Sequence, residues 1–94
     1  VRDLDIDARG CRYRAVNAGA SMEVRCPLAG EHQVVNSLTA ALALSRLGVD
    51  PEGMATAVWP GRLERVSEQP EIILDGAHNP AGARALAAYI KRFY

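Results

Sequence analysis

Four side chains of this sequence have types and neighbours suited to holding a small anionic ligand: Asn36, Arg62, Asp75 and His78. An asparagine amide presents a donor and an acceptor side by side, which suits the edge of an adenine ring. A carboxylate accepts hydrogen bonds from both hydroxyls of a ribose. A guanidinium grips phosphate oxygens in pairs and keeps its charge. A histidine at a helix start adds a donor near the same phosphates. Base, sugar and phosphate would then each have a partner. Each residue also has a plainer reading. Asn36 could lie on a solvated helix face, and Arg62 could pair with Glu64. Asp75 could accept N–H groups of its own loop, and His78 could cap or pack locally. Asp75 and His78 form a D-x-x-H pair, but no third ligand stands at a suitable spacing, so no metal centre is expected.

The elements that must position these groups are marked by punctuation residues. Ile72–Leu74 reads as a strand that runs directly into Asp75, Gly76, His78 and a helix start. The carboxyl ends of strands are where open α/β sheets bind ligands. Gly76 permits a sharp turn or a close backbone approach. Asn79 is a good N-cap and Pro80 a good first helical residue, so the N–H groups behind them favour an anion beside His78. Upstream, residues 2–7, 12–17 and 21–27 are predicted strands, with turns at Asp7–Gly10 and Asn17–Ala20. Glu31–Leu47 is a predicted helix with Val34, Val35, Leu38, Ala41, Leu42 and Ser45 in one stripe and Gly48 just past its end. Asp50–Pro51 starts a second helix that should reach about Val58, where Trp59–Pro60–Gly61 breaks it. Residues 62–67 and 71–75 are predicted strands. A helix over 80–94 should bury Ala83, Leu86, Ala87, Ile90 and Phe93. The Pro60–Gly61 pair is the expected domain boundary.

Composition narrows the function classes. The chain has 94 residues and a formal net charge of +0, enough for one small domain or parts of two. At that length only about 60–65% of the unfolded surface can be buried, so the core is modest. Balanced charge provides no basic patch for nucleic acid and no polybasic anchor. No apolar run has spanning length, so no membrane partner is expected. Cys11 and Cys26 form no C-x-x-C pair, and reduced thiols in a cytoplasmic protein are expected. The chain begins at Val1 and ends on Phe93–Tyr94 inside a predicted helix, so both ends read as cut from something longer.

Three motifs together resemble a known family. Gly30-Glu31-His32-Gln33-Val34-Val35-Asn36 with its alanine-rich helix is similar to the end of the ATPase domain of folylpolyglutamate and dihydrofolate synthases. Trp59-Pro60-Gly61-Arg62-Leu63-Glu64 resembles the family's linker and first C-terminal strand, and Leu74-Asp75-Gly76-Ala77-His78-Asn79-Pro80 its most recognisable motif. The wider superfamily is the Mur ligases. The resemblance implies an α/β chain. Residues 1–60 would be the tail of a P-loop-type ATPase domain, with small antiparallel strands and two helices. Residues 61–94 would open a Rossmann-like C-terminal domain. It implies ATP and Mg2+ as cofactors, folate or dihydropteroate and L-glutamate as substrates, and a place in folate and one-carbon metabolism. Asn36 would contact adenine, Asp75 the ribose, and Arg62 and His78 the phosphates, with His32 and Gln33 given no role beyond supporting Asn36. The family's phosphate loop, G-x-x-x-x-G-K-[ST], is not in this sequence, so magnesium ligands and the folate pocket are expected outside these residues, and the 94 residues alone are expected to be inactive. A cell-wall or polyglutamate Mur-type ligase is the alternative enzyme. Gly76 speaks against it, because the cell-wall enzymes tend to resemble Asp-Tyr-Ala-His there. A non-catalytic nucleotide-binding module is the alternative outside the enzymes.

Overall fold

The computed structural model describes residues 1–94 as an α/β arrangement with two separate antiparallel sheets. Strands β1 (Arg2–Ile6), β2 (Cys11–Asn17) and β3 (Ala20–Cys26) form the first, in that spatial order. Ala18 and Gly19, with φ of 47° and 83°, make the two-residue turn between β2 and β3. Left-handed residues there match the twist of the flanking strands. Asp7 Oδ1 fastens the β1–β2 turn by accepting the N–H groups of Arg9 and Gly10 at 2.7 and 2.9 Å. Alternate residues of β2 and β3 point inward, so Cys11, Tyr13, Ala15, Val24 and Cys26 form a core with Ala41 of helix α1 (His32–Arg46).

Helix α1 buries only part of the expected stripe: Ala41 is in the core and Val34 and Leu38 pack against it, but Val35, Leu42 and Ser45 are exposed. Its covered residues are Gln33, Ser37 and Ala41, while Val35 is 66% exposed. The face turns because Tyr13, buried under the helix, needs a partner for its hydroxyl. Ser37 Oγ lies 2.9 Å from that hydroxyl, and the Val34 carbonyl accepts from it at 3.3 Å. A buried phenol without such partners would be costly. Burial pushes the Tyr13 pKa upward. Cys11 and Cys26 face each other across β2 and β3 as free, buried thiols. Burial, and then the neighbouring Cys26, push the Cys11 pKa up to about 11.

The predicted second helix is shorter and tighter than expected. It is a 3₁₀ helix, Pro51–Thr56, capped by Asp50 Oδ1, which accepts the Glu52 N–H at 2.8 Å. The second sheet is the hairpin β4 (Glu64–Glu68) and β5 (Glu71–Leu74), closed by Gln69 and a cis Pro70. Helix α2 (Pro80–Phe93) follows, with Asn79 Oδ1 accepting the Gly82 N–H at 2.8 Å as the motif predicts. Its buried residue is Tyr89, and Leu86 and Phe93 pack beside it. Ala83, Ala87 and Ile90, expected inside, are exposed. The tyrosine hydroxyl explains the rotation, since it crosses to the first sheet's turn and donates to the Ala8 carbonyl at 2.8 Å. Tyr89, Leu63 and Ala29 form a second, smaller core, and Arg92 pairs with Glu31 alongside it.

Candidate functional site

A cleft of about 710 Å³ runs between α1 and the first turn of α2. Asn36, Arg62 and Asp75 all line it, so three of the four sequence-selected residues share one concavity. Asn36 comes from the exposed side of α1. Its amide donates to Gln33 Oε1 at 3.0 Å, and Gln33 is itself only 5% exposed. A buried glutamine thus fixes the asparagine from below. His32 also lines the cleft and lies back over Gly30. A Cβ at Gly30 would meet its imidazole at 2.6 Å, and the glycine's φ is +101°. Only glycine fits both constraints.

Asp75 sits just past the end of β5 and is half-buried. Its Oδ2 accepts the Leu63 N–H at 3.0 Å and its Oδ1 the Ala77 N–H at 2.9 Å. The plainer reading of Asp75 therefore holds as geometry. Each carboxylate oxygen still has a lone pair for a ligand hydroxyl. Leu63 is buried at φ 48°, a conformation non-glycine residues seldom adopt. Its N–H is held by Asp75, so the carboxylate also fixes the joint before β4.

Arg62 makes no ion pair with Glu64. Glu64 Oε2 instead accepts the Gly61 N–H at 2.8 Å, and Arg62 is absent from all six salt bridges of the molecule. Its guanidinium lies 5.7 Å from the ring centroid of Trp59. The Gly61 carbonyl accepts the Gly76 N–H at 2.7 Å, which ties the Pro60–Gly61 turn to the loop after β5. His78 stands apart. It is exposed, it does not line the cleft, and its Nδ1 lies 2.8 Å from the Gly76 carbonyl. The first turn of α2 reaches the cleft through Ala81 and Gly82 instead. Trp59 lines the cleft although the sequence gave it no binding role, and His32 and Gln33, expected only to support Asn36, line it too. An aromatic three positions before an arginine was the available signal for the first.

The cleft thus offers an amide from α1 and a carboxylate and an unpaired guanidinium from the loops beside β4 and β5. No protein-family profile matches the chain. A probable bifunctional folylpolyglutamate synthase/dihydropteroate synthase of Halobacterium salinarum is 41% identical over 78 residues, which is 78% of this chain and 10% of that protein. The folylpolyglutamate synthase of Mycobacterium tuberculosis, solved in complex with ADP and AMPPCP, superposes with a TM-score of 0.81 at 34% identity over 100% of this chain. The chain belongs to the folylpolyglutamate synthase and Mur ligase family. MurF of Acinetobacter baumannii, from the ligase side of the family, gives a TM-score of 0.83 at 27% identity, covering 98% of this chain and 22% of that one. The chain therefore spans about a tenth of the Halobacterium relative and under a quarter of either solved structure. No helix is long and apolar enough to cross a membrane.

Proposed function

We propose that these residues form the nucleotide-facing wall of a cytoplasmic, ATP-dependent ligase that joins L-glutamate to a folate or dihydropteroate carboxylate. In such a reaction ATP phosphorylates the carboxylate, the glutamate amine attacks the acyl phosphate, and phosphate leaves. The observation that carries this reading is the convergence of Asn36, Arg62 and Asp75 on one cleft. Asn36 reads the adenine edge, Asp75 accepts from the ribose hydroxyls, and Arg62 holds phosphate oxygens. His78 joins the phosphates from outside the cleft wall. Such groups act by fixed placement of charge around the transferring phosphoryl group. Residues 1–60 then close an ATPase domain and residues 61–94 open the next, with the nucleotide between them.

Magnesium does not fit these residues, since no three or more His, Cys, Asp or Glu side chains are grouped to hold a metal. Its ligands, the phosphate loop and the folate pocket belong to other parts of the enzyme, and the 94 residues alone do not turn over ATP. The test uses the complete polypeptide that carries these residues. Arg62→Ala and Asp75→Ala each weaken ADP binding and slow ATP turnover at least about tenfold, the scale of one lost charge-assisted contact. Wild-type affinity and turnover in both variants would remove the site.

A second reading is favoured by the MurF superposition: a cell-wall or polyglutamate Mur-type ligase. Among the superposed structures the identity to the Mycobacterium folate enzyme, 34% against 27% for MurF, supports the folate reading. Acceptor-dependent ATP turnover separates the two. Folate or dihydropteroate stimulates it in the first case, a peptidyl nucleotide precursor or polyglutamate in the second.

A further inference from the structure

Arg62 is the one arginine that lines the cleft, and what holds it there is not a carboxylate. Trp59, 60% exposed, presents its indole to the guanidinium at 5.7 Å from the ring centroid. That lies within the roughly 6 Å over which a cation is attracted to an aromatic face. A Cβ built on Gly76 would come within 3.5 Å of Arg62 Nη1, so the guanidinium also passes beside the one loop position with no side chain. The backbone enforces the arrangement. Pro60 has a fixed φ, Gly61 takes φ +69°, and the Gly61 carbonyl is bonded to the Gly76 N–H at 2.7 Å. Indole and guanidinium therefore meet across a turn that is itself tied to the Asp75 loop.

We propose that Trp59 is a positioning residue for Arg62: its indole holds the guanidinium extended in the cleft wall, with the N–H edge left free for a nucleotide phosphate. The inference rests on the reading of Arg62 as a phosphate ligand. A carboxylate partner would occupy the donor edge that phosphate needs, whereas an aromatic face leaves that edge open. Holding the long side chain in place beforehand also lowers the entropy lost on binding. Trp59 is therefore predicted to matter for polyphosphate nucleotides and not for the bare nucleoside.

The test is calorimetric titration of ADP and of adenosine into the complete polypeptide, for wild type, Trp59→Ala, Trp59→Phe, Arg62→Ala and the double variant. Trp59→Ala is expected to weaken ADP about fivefold and leave adenosine within about twofold. Trp59→Phe keeps an aromatic face and restores ADP affinity to within about twofold. In the Arg62→Ala background, Trp59→Ala adds nothing. Equal losses for ADP and adenosine, or a tryptophan effect that persists without Arg62, would mean that the indole touches the base itself and would overturn the proposal. Wild-type ADP affinity in Trp59→Ala, beside a weakened Arg62→Ala, would overturn it while leaving the nucleotide reading intact. Unchanged ADP affinity in Arg62→Ala would remove that reading and the proposal together.

Discussion

The two halves of the molecule solve different problems. Residues 1–56 place six buried side chains between a three-stranded sheet and α1, and the largest fully buried of them, Tyr13 and Val24, are only 1% exposed. Residues 59–94 rest on three buried residues, one of which, Ala29, belongs to the first half. Their hairpin leaves Val66, Ile72 and Leu74 between 44 and 49% exposed. Yet this thinner half supplies Arg62 and Asp75 to the cleft, while the denser half supplies Asn36 with His32 and Gln33 beside it. Packing and polar chemistry have been separated. In the first half side-chain hydrogen bonds serve the core, whereas in the second a carboxylate and a left-handed leucine hold the loops that carry Arg62 and Asp75. The lesson is that the second half takes its shape from polar contacts where the first takes it from packing.

That contrast is open to attack by mutation. Tyr13→Ala empties the densest point of the first half and removes the Ser37 partner, so about 3–5 kcal/mol of unfolding free energy should be lost in urea titration. If the loss is under about 1 kcal/mol, the first half is not the stable scaffold described. Asp75→Ala should cost about 2–3 kcal/mol, because two backbone N–H groups lose a charged acceptor and Leu63 loses its tether. Asp75→Asn should recover little of that stability, since its amide can accept at one oxygen only and offers a donor to the other N–H. A full rescue by asparagine would show that the second half does not depend on this carboxylate for its shape.

The next test is chemical and concerns the first half alone. The Cys11 thiol ionises at about 11 in the folded chain, against 9.0 in its ordinary state. Below pH 9 both states hold the proton and stability is unaffected. Between 9 and 11 the unfolded chain releases it first, so stability falls as pH rises and the loss is complete near 11. Two pKa steps correspond to about 2–3 kcal/mol at most. Tyr13, also raised by burial, acts in the same direction above pH 10. Urea midpoints from pH 8 to 11 should therefore decline, and Cys11→Ala should flatten most of the slope. A slope unchanged by that substitution would place the alkaline weakness elsewhere.

Much of the fold was legible in the residues. Strand alternation and Asp, Asn, Gly and Pro punctuation located all five strands and both α-helices to within about two residues. What failed was part of the inward face of each helix. In α1 the Val35 and Leu42 edge of the stripe points outward while Val34, Leu38 and Ala41 face the core, because a buried tyrosine hydroxyl recruits Ser37. In α2 Tyr89 outcompetes Ile90 for the interior, because its hydroxyl bridges to Ala8. Hydrophobicity alone does not count a hydroxyl that must be satisfied. The site shows the same pattern. Asn36, Arg62 and Asp75 could be selected by type, but Trp59 read as a helix breaker beside Pro60–Gly61 and as part of a linker motif, with no binding role. Its contact with Arg62 depends on the turn's geometry and not on composition.

His78 gives the smallest effect and sharpens the comparison most. Because the Gly76 carbonyl can only accept, Nδ1 of the ring carries the proton, and Nε2 is left toward solvent. The bond is exposed and local, spanning two residues, so His78→Ala should change unfolding free energy by less than about 0.5 kcal/mol. Asp75, three positions earlier, should cost several times more. If His78 serves only the phosphates, His78→Ala weakens ADP less than Arg62→Ala does and leaves adenosine unaffected, since the ring lies outside the cleft wall that Arg62 lines. Should His78→Ala destabilise the chain as much as Asp75→Ala, the loop after β5 would be held by its histidine, and the division between a shape-giving carboxylate and an exposed imidazole would fail.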